Sequence, residues 1–194
     1  VQQMKFPGAP YGLKMACGEN PKRVYGDRGR SPATRMGNIA GFRAAWIRAQ
    51  EYQRRWDAWS SGSRSPGTMP SRDLELETLA GVLRGEILVH NHCYRADEMA
   101  WMIDVAEEFD YEIRSFHHGV EAYKIRDLLA EKGIAGSLWA DWWGFKMEAM
   151  DFTIANVALV HDAGARAIVH SDDPIGIQRL NQEAAKALRA GRDA

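Results

Sequence analysis

Histidines and aspartates gather at three points of the chain: V-H-N-H-C-Y at 89–94, F-H-H-G at 116–119 and V-H-S-D-D-P at 169–174. Each motif closes a short apolar run, and each run is followed by a helical pattern. Strand ends of successive β-α units open onto one common face, so the three motifs are expected to meet there. Neutral imidazole nitrogens and carboxylate oxygens held by rigid strands suit a divalent metal, and a metal held in that way activates water.

The elements that must position these residues can be read from the spacing of apolar side chains. Residues 12–17 (GLKMAC) read as a strand after a Pro/Gly entry, and residues 18–35, rich in Gly, Pro and Arg, as a loop. From Met36 the apolar residues Ile39, Phe42, Trp46, Ala49, Tyr52 and Trp56 recur at helical spacing. SSGSRSPGTMPS breaks that helix, and a second follows through Leu74, Leu76, Leu79 and Leu83.

Strands are then expected at 87–92, 112–118, 134–139 and 166–171, each followed by a helix. Consecutive β-α units with short connections imply a parallel sheet with right-handed crossovers. Polar residues repeated at strand ends point to an α/β fold of the (β/α)8 TIM-barrel type. A doubly wound open sheet is the alternative, but it lacks the Gly-rich first turn of a dinucleotide site. Counting the first strand, five strands are visible, too few to close such a barrel, so further strands lie before Val1 or something else covers the edges.

A chain of 194 residues makes one domain or a large piece of one, and 45% hydrophobic with 26% charged residues is ordinary for a globular protein. A formal charge of -1 gives no electrostatic reason to expect nucleic acid or an anionic membrane as partner. No run is long enough to span a membrane and the N-terminus lacks a signal-peptide pattern, while Val1 in place of Met points to something upstream. Cys17 and Cys93 are too few for a disulfide framework, which makes a reducing cytoplasm the default. The expected partner is a small-molecule substrate, with a homo-oligomer allowed.

Taken together, the motifs resemble the second half of metal-dependent hydrolases of the amidohydrolase superfamily, in the imidazolonepropionase-like and prolidase-like branch. The resemblance runs from GLKMACGENPKRVYG through RLNQEAAKAL. It implies that residues 1–194 form a single barrel domain, about strands 4–8 with their helices, lacking the N-terminal strands. By position it places Lys14 on the strand-4 lysine, often carboxylated, His90 on strand 5, His118 on strand 6 and Asp172 on strand 8. These four would hold one or two divalent ions, Zn2+ first among them. Asp172 would also take the proton of the attacking water and pass it to the leaving nitrogen. No histidine precedes Lys14, so the superfamily's strand-1 H-x-H pair is not among these residues.

A rival register makes His90-Asn91-His92 the strand-1 pair, with Lys146 as the lysine. It needs more β-α units before the terminal aspartate than the three that separate His90 from Asp172. Around the four ligands, Tyr94 is a candidate to polarise the scissile carbonyl. His92 shares the face of His90 and either reaches substrate or packs. Arg23, within the basic stretch Lys22, Arg28, Arg30 and Arg35, either grips a substrate carboxylate or is solvated. Trp143, in WADWWGFK, either walls a pocket or packs under loops. His117 is expected to point away from the site, since neighbouring strand residues alternate. Asp173 either serves a ligand or caps the last helix, and His161 and His170 read as structural. The chemistry implied is hydrolysis of an amide-type C–N bond, with an aminohydrolase or an inert barrel fragment as alternatives.

Overall fold

In the computed structural model, which describes residues 4–62 and 66–192, a five-stranded parallel sheet carries helices on one face. The strands are β1 (Tyr11–Ala16), β2 (Ile87–His92), β3 (Ile113–His117), β4 (Ala135–Leu138) and β5 (Ala167–Val169). Their order in space is their order in sequence, β1-β2-β3-β4-β5, with every neighbouring pair parallel. A doubly wound sheet reverses its order at a switch point; this one does not, and a run of consecutive parallel strands is an arc of a barrel. Residues 63–65, inside the expected break SSGSRSPGTMPS, lie outside the described residues.

The helices are α1 (Glu19–Gly26), α2 (Arg35–Ser61), α3 (Leu74–Leu83), α4 (Ala96–Phe109), α5 (Arg126–Glu131), α6 (Asn156–Asp162) and α7 (Leu180–Arg192). α2 starts where the Thr34 hydroxyl accepts from the Gly37 amide at 2.9 Å, and α3 where Asp73 accepts from Glu75 and Leu76. α1 corrects the expected loop at 18–35. Its Pro21 sits in the first turn, where a missing N–H breaks no intrahelical bond, so the residue read as a breaker is compatible with a helix start. The helix expected after the strand at 112–118 begins as a 3-10 turn at Ala122–Ile125 before α5, and Gly176–Arg179 likewise precedes α7.

Alternation along the strands sorts side chains to two faces. Leu13 and Met15 of β1, Val89 of β2, Phe116 of β3 and Leu138 of β4 face the helices and pack with Trp46, Met99, Met102 and Leu129. Burying side chains of this size supplies about 1.5–3 kcal/mol each, which makes this layer the main source of cohesion. In register on the opposite face lie Lys14, His90 and Ser115, followed by His92, His117 and Ser137. Parallel sheets usually bury both faces, whereas here the second face carries the polar residues of interest.

Cys17 and Cys93, one residue beyond β1 and β2, form a disulfide. Two cysteines are too few for a framework but enough for one crosslink between adjacent strand ends. Disulfides are rare in reducing cytosol, so the cysteine count no longer argues for a cytoplasm. Among the described residues, no helix is long and apolar enough to cross a membrane.

Candidate active site

Backbone pairing continues one residue past each strand and fixes the segments that carry the site. Cys17 donates to the His92 carbonyl (2.9 Å), Cys93 to His117 (3.1 Å), His118 to Ser137 (2.9 Å) and His170 to Leu138 (3.0 Å). Just beyond β3 and β5, His118 (φ 62) and Asp172 (φ 53) adopt left-handed backbone conformations, uncommon for residues other than glycine. The sharp turn at His118 ends the strand alternation after His117. Both imidazoles can therefore face the site although they are adjacent in sequence.

That geometry overturns the expectation that His117 points away. Its Nδ1 lies 2.9 Å from the Lys14 ammonium nitrogen and its Nε2 lies 3.2 Å from His90 Nδ1. His117 thus joins Lys14 and His90, which occupy one register position on β1 and β2. A second group is built on His118 and Asp172, with Nε2 to Oδ2 at 3.5 Å. His170, read as structural, places Nε2 3.2 Å from His118 Nδ1. The His117 ring centroid lies 5.9 Å from that of His118 and 6.3 Å from that of His170, so the two groups form one continuous cluster.

Burial keeps these imidazoles neutral. His117 is lowered to about 4, first by burial and then by the charge of Lys14. His92 is lowered to about 4 by burial and by Lys146, and His118 to about 2 by burial and the neighbouring His92 and His170. His90 and His170 are pushed down for the same first reason. Lys14 is also lowered by burial, with the Asp172 carboxylate opposing. Burial raises the Tyr94 phenol well above its ordinary range, assisted by Glu148, so the phenol stays protonated.

An aromatic wall backs the cluster. Trp139 stacks on His118 (5.0 Å) and on His170 (5.6 Å), and its indole N–H donates to the Ser171 carbonyl at 2.9 Å. Tyr94 lies against His92 (4.7 Å) and Trp139 (5.8 Å). Of the WADWWGFK tryptophans, Trp142 continues this wall against Trp139, whereas Trp143 stacks on Phe152 away from the histidines. Asn156 at the start of α6 anchors the turn after His118, donating to the Gly119 carbonyl and accepting from the Tyr123 amide, both at 2.9 Å.

The basic stretch is divided. Arg23 is exposed on α1. Arg35 is engaged by two buried carboxylates, Glu98 and Glu148, each at 3.1 Å, which leaves it poorly placed to grip a substrate. Asp173 accepts from the Ile175 and Gly176 amides and so fills the capping role. His161 is exposed on α6. Sequence patterns did not flag Asn20 and named Lys146 only as the lysine of the rival register, yet the two join His92 to the Arg35 cluster. Lys146 donates to Asn20 Oδ1 at 2.9 Å, and Asn20 Nδ2 lies 3.1 Å from His92 Nε2. No local signal could find this role, because Asn20 sat in a presumed loop and Lys146 in a loop or at a helix start.

As a donor set, the neutral imidazoles of His90, His117, His118 and His170, one carboxylate and a lysine of lowered pKa match what a divalent ion requires. Among the described residues, however, no three or more His, Cys, Asp or Glu side chains are closed into a group able to hold an ion. The fit is therefore one of kind and position, with the donors spread over two neighbouring groups of three, Lys14, His90 and His117 on one side and His118, His170 and Asp172 on the other.

Amidohydrolase tasK of Hapsidospora irregularis is 38% identical over 189 residues, which covers 92% of this chain and 19% of that protein. A crystal structure of an amidohydrolase from Thermotoga maritima MSB8 superposes with a TM-score of 0.86 at 35% identity, covering 93% of this chain and 46% of the other. No family model matches. The chain thus spans about a fifth of the first relative and just under half of the second. Over that shared stretch, with consecutive parallel strands delivering histidines, lysine and aspartate to one end of the sheet, the chain belongs to the amidohydrolase family.

Proposed function

We propose that this chain contributes one side of a metal-dependent hydrolytic site that cleaves an amide-type C–N bond. The substrate would be a dipeptide-like, acyl-amino-acid or cyclic amide compound. The observation that carries this reading is the convergence of Lys14, His90, His117, His118, His170 and Asp172 at the C-terminal ends of β1, β2, β3 and β5. Enzymes with barrel strands place their chemistry at that end.

In this reading Lys14, His90, His118 and Asp172 hold the ion, with zinc the first candidate. A divalent cation there would supply Lewis acidity, polarising the scissile carbonyl and lowering the pKa of water. Lys14 would serve as a carbamate, since an ammonium has no lone pair to offer. Burial lowers the pKa of its amine, which favours the neutral form that adds to carbon dioxide with loss of a proton. His117 steadies this side by bonding both Lys14 and His90. Asp172, more than half exposed and 3.5 Å from His118, takes the proton of the attacking water and returns it to the leaving nitrogen. Tyr94, kept protonated by burial, donates a hydrogen bond to the carbonyl oxygen as negative charge develops there.

The test is amine release from a panel of dipeptides and N-acyl amino acids in the presence of zinc, for the native chain and for Asp172→Asn. The proposal expects turnover in the former and a loss of roughly 100-fold or more in the variant. Equal turnover in the two would remove Asp172 from the chemistry. Ammonia as the sole product would identify an aminohydrolase, and absence of turnover in the native chain would count against the hydrolytic reading of this stretch.

A further inference from the structure

The outer nitrogen of His92 is bonded to a side chain of α1, Asn20. That nitrogen, Nε2, lies 3.1 Å from Asn20 Nδ2. Which end of the Asn20 amide faces His92 follows from the other side of that amide, where Lys146 Nζ lies 2.9 Å from Oδ1. An ammonium has three donors and no acceptor, so the amide must turn its oxygen to Lys146. Its NH2 group then faces His92, and Nε2 must accept.

Lys146 is itself held firmly. It pairs with Glu148 Oε1 at 3.0 Å, and its ammonium lies 4.2 Å from the centre of the Tyr94 ring. Glu148 is 1% exposed in its side chain and also accepts from the Glu19 amide at 2.8 Å and from Arg35 at 3.1 Å. Gly18, at φ 83, makes room for this carboxylate, since a Cβ there would meet Glu148 Oε2 at 2.8 Å. A continuous chain of ion pairs and hydrogen bonds therefore runs from Arg35 through Glu148, Lys146 and Asn20 to the imidazole.

We propose that Lys146 and Asn20 are positioning residues that fix His92 as its neutral Nδ1–H tautomer. His92 is thereby excluded as a metal ligand and made a hydrogen-bond donor beside Tyr94. With Nε2 accepting from Asn20 and Nδ1 carrying the proton, neither nitrogen has a lone pair free for an ion. This decides between the roles that the sequence left open for His92. Its use in turnover rests on the hydrolase reading; the tautomer itself does not, and can be measured without any substrate.

The test is long-range 1H–15N NMR of the full chain labelled at histidine, at neutral pH, with and without added zinc. The tautomer assignment predicts that His92 has a pyrrole-like Nδ1 and a pyridine-like Nε2, and that zinc leaves the Nδ1 proton in place. In Asn20→Asp the carboxylate can only accept, so the proton should move to Nε2. In Lys146→Met the Asn20 amide is free to turn, and the two tautomers should mix. A native His92 protonated at Nε2, loss of its Nδ1 proton on adding zinc, or an unchanged tautomer in both variants would overturn the proposal. Should Asn20→Asp fail to fold, the Lys146→Met spectrum decides alone. Failure of turnover with the tautomer intact would fault the hydrolase reading and leave this assignment standing.

Discussion

At the scale of single residues, the candidate site depends on burial holding imidazoles neutral in a crowded cluster. His92 and His117 titrate at about 4 in the folded chain against an ordinary value near 6.5. Their folded pKa values lie below the unfolded ones, so the unfolded state binds more protons between about pH 6.5 and pH 4. Stability from this source is fully present above the upper limit and is lost as pH falls through the window. Thermal melts of the metal-free chain should therefore show a falling midpoint from pH 7 to pH 4, with a shallower fall in His117→Gln. An equal slope in that variant would show that His117 is not shielded as described. A second expectation concerns Lys14: its carbamate, if formed, should add the mass of carbon dioxide in native mass spectrometry. Lys14→Ala should lack that adduct and bind less zinc, and an identical native mass and zinc content would argue against the role.

Among the elements, the strands do the positioning and the segments just past them do the aiming. Phe116 is fully buried on the helix side of β3, directly between Ser115 and His117. Phe116→Ala should cost about 3–5 kcal/mol in denaturant unfolding through the cavity it leaves. A change under about 1 kcal/mol would mean that β3 is not packed as described. The Cys17–Cys93 bridge closes a stretch of 76 residues, for which the chain-entropy account gives on the order of 4 kcal/mol. Reduction should lower the melting temperature, and alkylation of the denatured, unreduced chain should find no free thiol; two labelled thiols would contradict the bridge.

Much of this layer was legible in the sequence because apolar runs of strand length and helical spacing carry it directly. The strand bearing His90 and His92 ends at the expected residue, and α2 begins within one residue of the expected start. What escaped were features set by backbone conformation or by distant partners. Pro21 disguised α1, the left-handed turn at His118 lets that residue join His117 on the site face, and Lys146 reaches Asn20 across 126 positions of sequence. Period-two reasoning holds inside a strand and fails one residue past its end, where His118 sits.

For the whole molecule, consecutive parallel strands present one apolar face to the helices and one polar face bearing the cluster. The family membership, the sheet order and the convergence at the strand ends agree with one another, although they arise from different observations. They lead to a central claim that a divalent cation is held where Lys14, His90, His118 and Asp172 meet. The direct measurement is elemental analysis after equilibrium dialysis against zinc and then against metal-free buffer. The account predicts close to one or two zinc ions per chain, with the content falling sharply in a His118→Ala, Asp172→Ala double variant that still folds. A native chain that retains no zinc, or a double variant that retains as much as the native, would contradict it.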